Sequence, residues 1–304
     1  MAANPVEAVL AVHVDHRIRA QVVGRDAIVY RSIEQATPVA GGAAEVIEAV
    51  RGAARNAASG RRTRLVGVGL AVPGIVDSAR GIARHSSLIG WHNVALGDLL
   101  QGDLATAVGV DQDVRAAALA EGANGAARGC SDWLLLHVGR TVTAAVVVGG
   151  RVQRGAGGAA GEAGHVPIYP FGELCPCGQR GCVEAYASTV AIENRYWRVS
   201  GLDLDLAAIA GRVGRDPLAD EVWGQAAAAL GVALADYSML LDPELIVLGG
   251  PLAQVSDLAL GSVRQELRSR LIWREAPVLT TAALGADAAL AGAAALGWSA
   301  AATA

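Results

Sequence analysis

The sequence contains no lysine: all 25 of its cationic side chains are arginine. A phosphate-binding lysine of the P-loop kind is therefore excluded, and any phosphate gripped by a charged side chain must be gripped by a guanidinium. Aromatics make up only 4% of the 304 residues, with one phenylalanine, so small aliphatic side chains must fill the core. Charged residues are 18%, the net charge is -4 and no basic block occurs, so neither a nucleic acid nor an anionic membrane is expected as a partner. Apolar stretches such as Ala144 to Val148 fall far short of the roughly 20 residues that cross a bilayer. The N-terminus, MAANPVEAVLAVHVDH, lacks a cationic n-region, and His13 and Asp15 interrupt its apolar run. No secretion signal is expected, and the chain is expected to be cytoplasmic.

Hydrophobic residues are plentiful at 53%, dominated by Ala, Val and Leu, and 38 glycines accompany them. A chain of this length and composition folds, as one large or two ordinary domains. Ala8 to Val14, Ile18 to Val23 and Ala27 to Arg31 read as an antiparallel meander, and Val39 to Ala58 has helical spacing. Leu65 to Val72 is a buried strand stopping at Pro73-Gly74, which puts Gly74 in a tight turn at the sheet edge where α/β proteins bind ligands. Leu96 to Val108 reads as a helix, Val110 as a short strand, and Val114 to Ala127 as an Ala-rich helix. Trp133 to Val138 and Thr141 to Val148 follow as strands, the latter closing on Gly149-Gly150 as a hairpin does. Val183 to Trp197 and Glu221 to Leu241 are helical, Leu245 to Leu248 is a strand ending at Gly249-Gly250, and Asp287 to Gly297 is a final helix. Two β-rich units, each followed by helices and each with a strand-to-glycine turn, predict two related α/β lobes. We expect one over 1–112 and the other over 113–284, with the C-terminal helix 285–299 packing back on the first.

Three of the four cysteines lie between 175 and 182, in CPCGQRGC, with His165 upstream. Three thiolates and one imidazole satisfy tetrahedral zinc with no open position, so Cys175, Cys177, Cys182 and His165 are expected to hold a structural zinc ion. Cys130 stands apart as a small buried residue. Immediately before His165 runs Gly161-Glu162-Ala163-Gly164, which puts a carboxylate on the same turn as a metal ligand, placed to accept hydrogen bonds from hydroxyls. Glu184 opens the next helix, where a carboxylate also serves the helix dipole. Asp113 starts the Ala-rich helix, either as a cap or as a general base; spacing alone leaves both readings open.

Together these pieces resemble the ROK family of repressors, open reading frames and sugar kinases. The matching text is VGVGLAVPGIVD (66–77), GWHNVAL (90–96), DQDVRAAALAE (111–121), GAGGAAGEAGHV (155–166), CPCGQRGCVEAYAS (175–188) and LDPELIVLGG (241–250). The resemblance implies a two-lobe actin-like ATPase (ribonuclease H-like) fold, a hexose or N-acylhexosamine bound between the lobes, and a zinc-braced sugar loop in the second lobe. It implies Asp113 as the base that deprotonates the attacking sugar hydroxyl. Gln112, Glu162, His165, Glu184 and Gly74 would lie on the sugar side. The nucleotide side would fall on Arg17, Gly139, Arg140, Thr141, Gly249 and Gly250. Family members are commonly dimers or tetramers, so a homodimer or homotetramer is expected. No DNA-binding helix-turn-helix stands before the first lobe, which points to the kinase branch.

The phosphate loops depart from the family pattern. Where family kinases carry Asp-x-Gly-Gly-Thr-Lys after the first strand, this sequence has His13-Val14-Asp15-His16-Arg17-Ile18, and Gly-Thr-Gly-x-Gly becomes Gly139-Arg140-Thr141-Val142-Thr143. Side chains then occupy space that phosphate oxygens need. On the sugar side, Gln112 replaces an Asn and Leu88 stands where another Asn is expected. The sequence therefore predicts a carbohydrate-binding protein of the sugar-kinase lineage, for a hexose, N-acylhexosamine or cyclitol, with ATP phosphotransfer weak, lost or repurposed. An active kinase using ATP and magnesium, with Arg17 or Arg140 on the phosphates, is the alternative. A sugar-responsive regulator without its own helix-turn-helix and a vestigial scaffold are the remaining readings.

Overall fold

Two five-stranded sheets with the same strand arrangement organise the chain. The computed structural model describes residues 5–59, 63–255 and 257–304; the N-terminal run read above for a leader therefore begins outside the described residues. In chain order the elements are β1 (Val6–Val14), β2 (Arg17–Gly24), β3 (Val29–Ala36), α1 (Gly42–Ala58), β4 (Thr63–Val72), β5 (Ile75–Asp77), β6 (Ile82–Ser86) and β7 (Trp91–Val94). Then come α2 (Leu96–Leu104), β8 (Val108–Gln112), α3 (Asp113–Asn124), β9 (Trp133–Val138), β10 (Val142–Val148) and β11 (Arg151–Val152). The remainder is α4 (Glu184–Ala187), α5 (Thr189–Ser200), α6 (Leu206–Ala210), α7 (Pro217–Leu241), β12 (Leu245–Gly249), α8 (Asp257–Arg270), β13 (Val278–Thr281) and α9 (Ala288–Thr303).

The chain divides into two compact units. The first takes the residues up to Ala123, then Arg154–Ala159 and Ala286–Ala304; the second takes Asn124–Gln153 and Ala160–Gly285. The first sheet runs β3-β2-β1-β4-β8, antiparallel through β3, β2 and β1 and parallel through β1, β4 and β8. The second runs β11-β10-β9-β12-β13 with the same switch from antiparallel to parallel at its central strand. β5, β6 and β7 form a separate small sheet in the first unit.

The abundance of Ala and Gly has a packing reason. Helix α9 lies against β1, β4 and β8, so close that a Cβ on Gly69 of β4 would meet the Ala293 carbonyl oxygen at 1.7 Å. A Cβ on Gly292 would likewise meet the Ala116 oxygen of α3 at 1.7 Å. Small side chains bring backbones together where a chain with 4% aromatics cannot fill wide gaps. In the second unit, α7 packs against α8 and α5. It is the one helix among the described residues that is long and apolar enough to cross a membrane by length and composition, and more than half of it is buried inside the unit.

Several boundaries differ from the sequence reading. The expected cut at 112/113 falls at 123/124 in the structure, because all of α3 but its last residue belongs to the first unit, where it packs on α9. The helix read from Leu96 to Val108 stops at Leu104, where Ala105 turns left-handed at φ 48°, and residues 108–112 join the sheet beside β4. The helix read over Val114 to Ala127 spans Asp113–Asn124. The single helix read over Val183 to Trp197 is two, divided at Ser188, whose extended backbone lets its hydroxyl accept the N–H of Ala191 as the N-cap of α5.

Candidate functional site

In the second unit, His165, Cys175, Cys177 and Cys182 converge, with their ligand atoms all within 4.8 Å of one another. The Sγ atoms of Cys177 and Cys182 are 3.8 Å apart, and His165 Nδ1 lies 3.7 Å from Cys175 Sγ. Tetrahedral zinc, with Zn–S bonds of about 2.3 Å and Zn–N of about 2.0 Å, separates two sulfurs by about 3.8 Å and a sulfur from a nitrogen by about 3.5 Å. The arrangement fits such an ion. Burial pushes the Cys175 thiol up to about 12 and raises that of Cys182, while the Cys177 thiol is lowered; a cation held among them would offset the cost of ionising buried sulfurs. Short backbone bonds shape the loop: Cys175 N–H donates to Gln179 O at 2.8 Å and Gly178 N–H to Cys175 O at 2.9 Å. Arg195, buried on α5, clamps it from behind, donating to the carbonyl oxygens of Ala185 and Tyr186 and to Glu173 at 3.1 to 3.3 Å.

The turn carrying Glu162 and His165 lies flat on β10. The Gly161 carbonyl accepts the N–H of Ala144 at 2.7 Å, and with φ at +100° a Cβ there would stand 2.0 Å from the Ala144 oxygen. Only glycine fits. Tyr237 of α7 donates its hydroxyl to the Ala163 carbonyl at 2.7 Å, fixing the turn between Glu162 and His165. Glu184, buried at the first residue of α4, accepts the N–H of Val142 at 2.9 Å. Thr189 N–H donates to the Gly139 carbonyl at 2.9 Å, and Gly139 N–H to the Thr141 carbonyl at 3.0 Å. Residues 139–142 thus form a tight, doubly tethered turn. His137 lies beneath it, its Nε2 within 3.2 Å of where a Gly139 Cβ would be and 3.0 Å of where a Gly250 Cβ would be. Gly139, Gly249 and Gly250 therefore gather around one imidazole, while Arg140 and Thr141 are exposed.

The first unit carries Asp113, Gln112, Gly74 and Arg17. Asp113 opens α3, and its Oδ1 accepts the N–H of Val114 at 2.8 Å; Gln112 is buried at the end of β8. Beneath them is a buried charge cluster. Asp111 and Arg115 are both 0% exposed and 3.3 Å apart, and Arg154 binds the other oxygen of Asp111 at 2.7 Å. Ser78 donates to Asp111 at 2.7 Å, and Arg115 donates to the Gly158 carbonyl at 2.6 Å. Gly74 leaves β4 with φ +98°, where a Cβ would meet the His85 oxygen at 2.1 Å.

Arg17 has another engagement. It forms an ion pair at 2.5 Å with Glu34 of β3. The β1–β2 hairpin closes through Asp15, His16 and Arg17, with Asp15 N–H donating to the Arg17 carbonyl at 3.0 Å and Arg17 N–H to the Asp15 carboxylate at 2.7 Å. The hairpin is thus a tight turn closed by its own hydrogen bonds.

The ROK family profile matches residues 15–299. This chain belongs to the ROK family. As a ROK protein it is 31% identical over 253 residues to a glucokinase of Halalkalibacterium halodurans, covering 76% of each chain. It superposes on the crystal structure of a ROK hexokinase from Thermus thermophilus with a TM-score of 0.84 and 33% identity, over 96% of this chain and 98% of that one. A ROK family glucokinase from Streptomyces griseus in complex with glucose and AMPPNP gives a TM-score of 0.83 and 28% identity, over 96% of this chain and 99% of that one. The repeated sheet arrangement is thus the two-lobe actin-like ATPase fold of ROK sugar kinases. The motifs announced the Cys/His cluster and its neighbouring turn. They did not announce Arg154, Arg195 or Tyr237, whose partners lie 9 to 74 residues away, beyond the reach of any local pattern.

Proposed function

We propose that this ROK protein binds a hexose, N-acylhexosamine or cyclitol through Gln112, Asp113, Glu162, His165, Glu184 and the Gly74 turn, and that its ATP phosphotransfer is weak, lost or repurposed. The observation that carries the second half is the closed β1–β2 hairpin, with Arg17 spent on Glu34. A triphosphate needs preorganised N–H groups and cations around its oxygens, and this hairpin turns its donors on itself.

His165, Cys175, Cys177 and Cys182 would hold zinc. With these four ligands filling its tetrahedral shell, such an ion would brace the loop and leave no position for water or substrate. Because His165 presents Nδ1 to the sulfurs, its Nε2 would carry the ring proton and donate it to a sugar hydroxyl oxygen. Glu162 on the same turn accepts hydroxyl hydrogens. Asp113 is the base available to take a hydroxyl proton if a phosphoryl acceptor is activated here, the proton passing to the carboxylate as the hydroxyl oxygen bonds to the γ-phosphorus of ATP and the bond from that phosphorus to the bridging oxygen breaks, releasing ADP. The setting of this activity is proposed to be the cytoplasm.

The test is a panel of hexoses, N-acylhexosamines and cyclitols, read first by thermal shift and calorimetry and then by ATP consumption with Mg. We expect one class of sugar to raise the Tm, Glu162→Gln to abolish that rise, and ATP consumption to stay at the level without sugar. Sugar-dependent turnover that Asp113→Asn removes would instead establish a working kinase. One observation favours that second reading: Arg140 is exposed on the 139–142 turn and forms no ion pair among the described residues. In a working kinase, Arg140→Ala would raise the KM for ATP and leave sugar affinity alone.

A further inference from the structure

We propose that His85 and His92 form a surface site for a divalent ion of the zinc class, separate from the cysteine cluster. The two residues face each other across adjacent antiparallel strands, paired in register as His85↔His92 between β6 and β7. Their Nδ1 atoms are 3.4 Å apart, with ring centroids at 4.8 Å and the planes inclined by 45°. Both side chains are exposed, so an ion reaches them without opening the fold. Bonds of about 2.05 Å to two nitrogens at this separation subtend about 110° at the metal, the tetrahedral angle zinc adopts. Two waters or an external ligand would complete the shell.

Rigidity distinguishes this pair from histidines that merely share a surface. Each imidazole stands on a strand, and the flanking pairs Ala83↔Val94 and Ser86↔Trp91 hold the register, with Ala83, Ser86 and Trp91 buried. Binding therefore orders little that is not already ordered. The positive charge of Arg84, which precedes His85 on β6, is paired with Asp77 at 2.5 Å. Imidazole nitrogen suits zinc, copper and nickel, with copper the strongest competitor. A bound ion would staple β6 to β7 across the turn 87–90.

The test titrates zinc chloride alone into protein whose cysteine cluster is already loaded with one zinc, by calorimetry and thermal shift. We expect one further zinc per chain and a Tm that rises with its concentration. His85→Gln and His92→Gln should each weaken this second event at least about tenfold, since a single imidazole loses the gain from a preplaced partner. His16→Gln, at an exposed histidine on the β1–β2 turn, should leave it unchanged, and Cys182→Ser should retain it while losing the first ion. Absence of a second zinc in the unmodified protein, or its persistence in both the His85 and His92 variants, overturns the proposal and leaves two hydrogen-bonded imidazoles.

Discussion

Glu184 holds the Gly139–Val142 turn by accepting the Val142 N–H at 2.9 Å, from a position only 5% exposed. One carboxylate thus belongs both to the proposed sugar side and to the turn where the family's second phosphate loop would lie. Glu184→Ala should cost about 1 to 3 kcal/mol, because a buried N–H is left without its acceptor. Glu184→Gln keeps an amide oxygen there and should cost less than half as much, yet weaken sugar binding through loss of charge. Urea denaturation and sugar calorimetry on both variants separate the two roles, and a Gln variant with unchanged sugar affinity would restrict Glu184 to the structural one.

Elemental analysis should find zinc bound at the cysteine cluster, and Cys182→Ser should lose it. Cys182 is fully buried, and the loop's short bonds do not by themselves hold three sulfurs together, so the variant and the chelator-treated protein should both unfold at lower temperature. Both should also lose the sugar-induced rise in Tm, since His165 is a ligand and Glu162 shares its turn. Zinc should leave as pH falls, because thiolates and a neutral imidazole must take up protons to release it. A zinc-free protein with undiminished Tm and sugar response would show that the four residues cluster without a metal role.

Asp103 links α2 to α1. Its carboxylate binds Arg51 at 2.6 and 2.7 Å and Arg55 at 3.2 Å, and hydrogen bonding from Arg51 holds its pKa below the ordinary carboxylate value. A carboxyl depressed on folding stabilises the fold above its unfolded pKa, about 3.9, and that stability is lost as pH falls through the lower folded value. Asp103→Asn should therefore be less stable than the unmodified protein at pH 7, and the gap should close below about pH 4. Chemical denaturation across pH 2.5 to 7 checks this; a constant gap would mean that packing, not charge, sets the effect.

Gly292→Ala should destabilise the first unit by about 3 kcal/mol. The added methyl would stand 1.7 Å from the Ala116 oxygen and 2.2 Å from its carbonyl carbon, and backbone atoms of a packed helix cannot step aside as a side chain can. Gly224→Ala, at a helical glycine with open space where its Cβ would be, should be neutral or slightly stabilising. Thermal unfolding of the pair measures the difference, and equal Tm values would show that α9 and α3 can separate at little cost.

Strands β1, β4, β9 and β12 were legible because burial on both faces makes them continuous runs of Val, Leu and Ala. The Cys/His cluster was legible because three of its four residues sit within eight positions and no packing role requires that spacing. Strands β5 to β7 were not, since the three are short and carry charged, His and Asn side chains where an apolar alternation would signal a strand. Helix α8 was missed because Arg, Glu and Ser interrupt its apolar positions. Helix α2 was read too long because nothing in its composition marks the stop; the left-handed turn falls on Ala105, a residue with no preference for it.

Local chemistry in this chain was enough to name the lineage, the Cys/His cluster and the departure of both phosphate loops from the family pattern, since each rests on residues close together in sequence. Tertiary structure decided the rest: that Arg17 turns to Glu34, that Asp111 is caught between Arg115 and Arg154, and that α3 belongs with α9. These depend on which charges and backbones meet after folding, and a guanidinium on a long side chain is committed only when the fold shows which carboxylate lies within its reach.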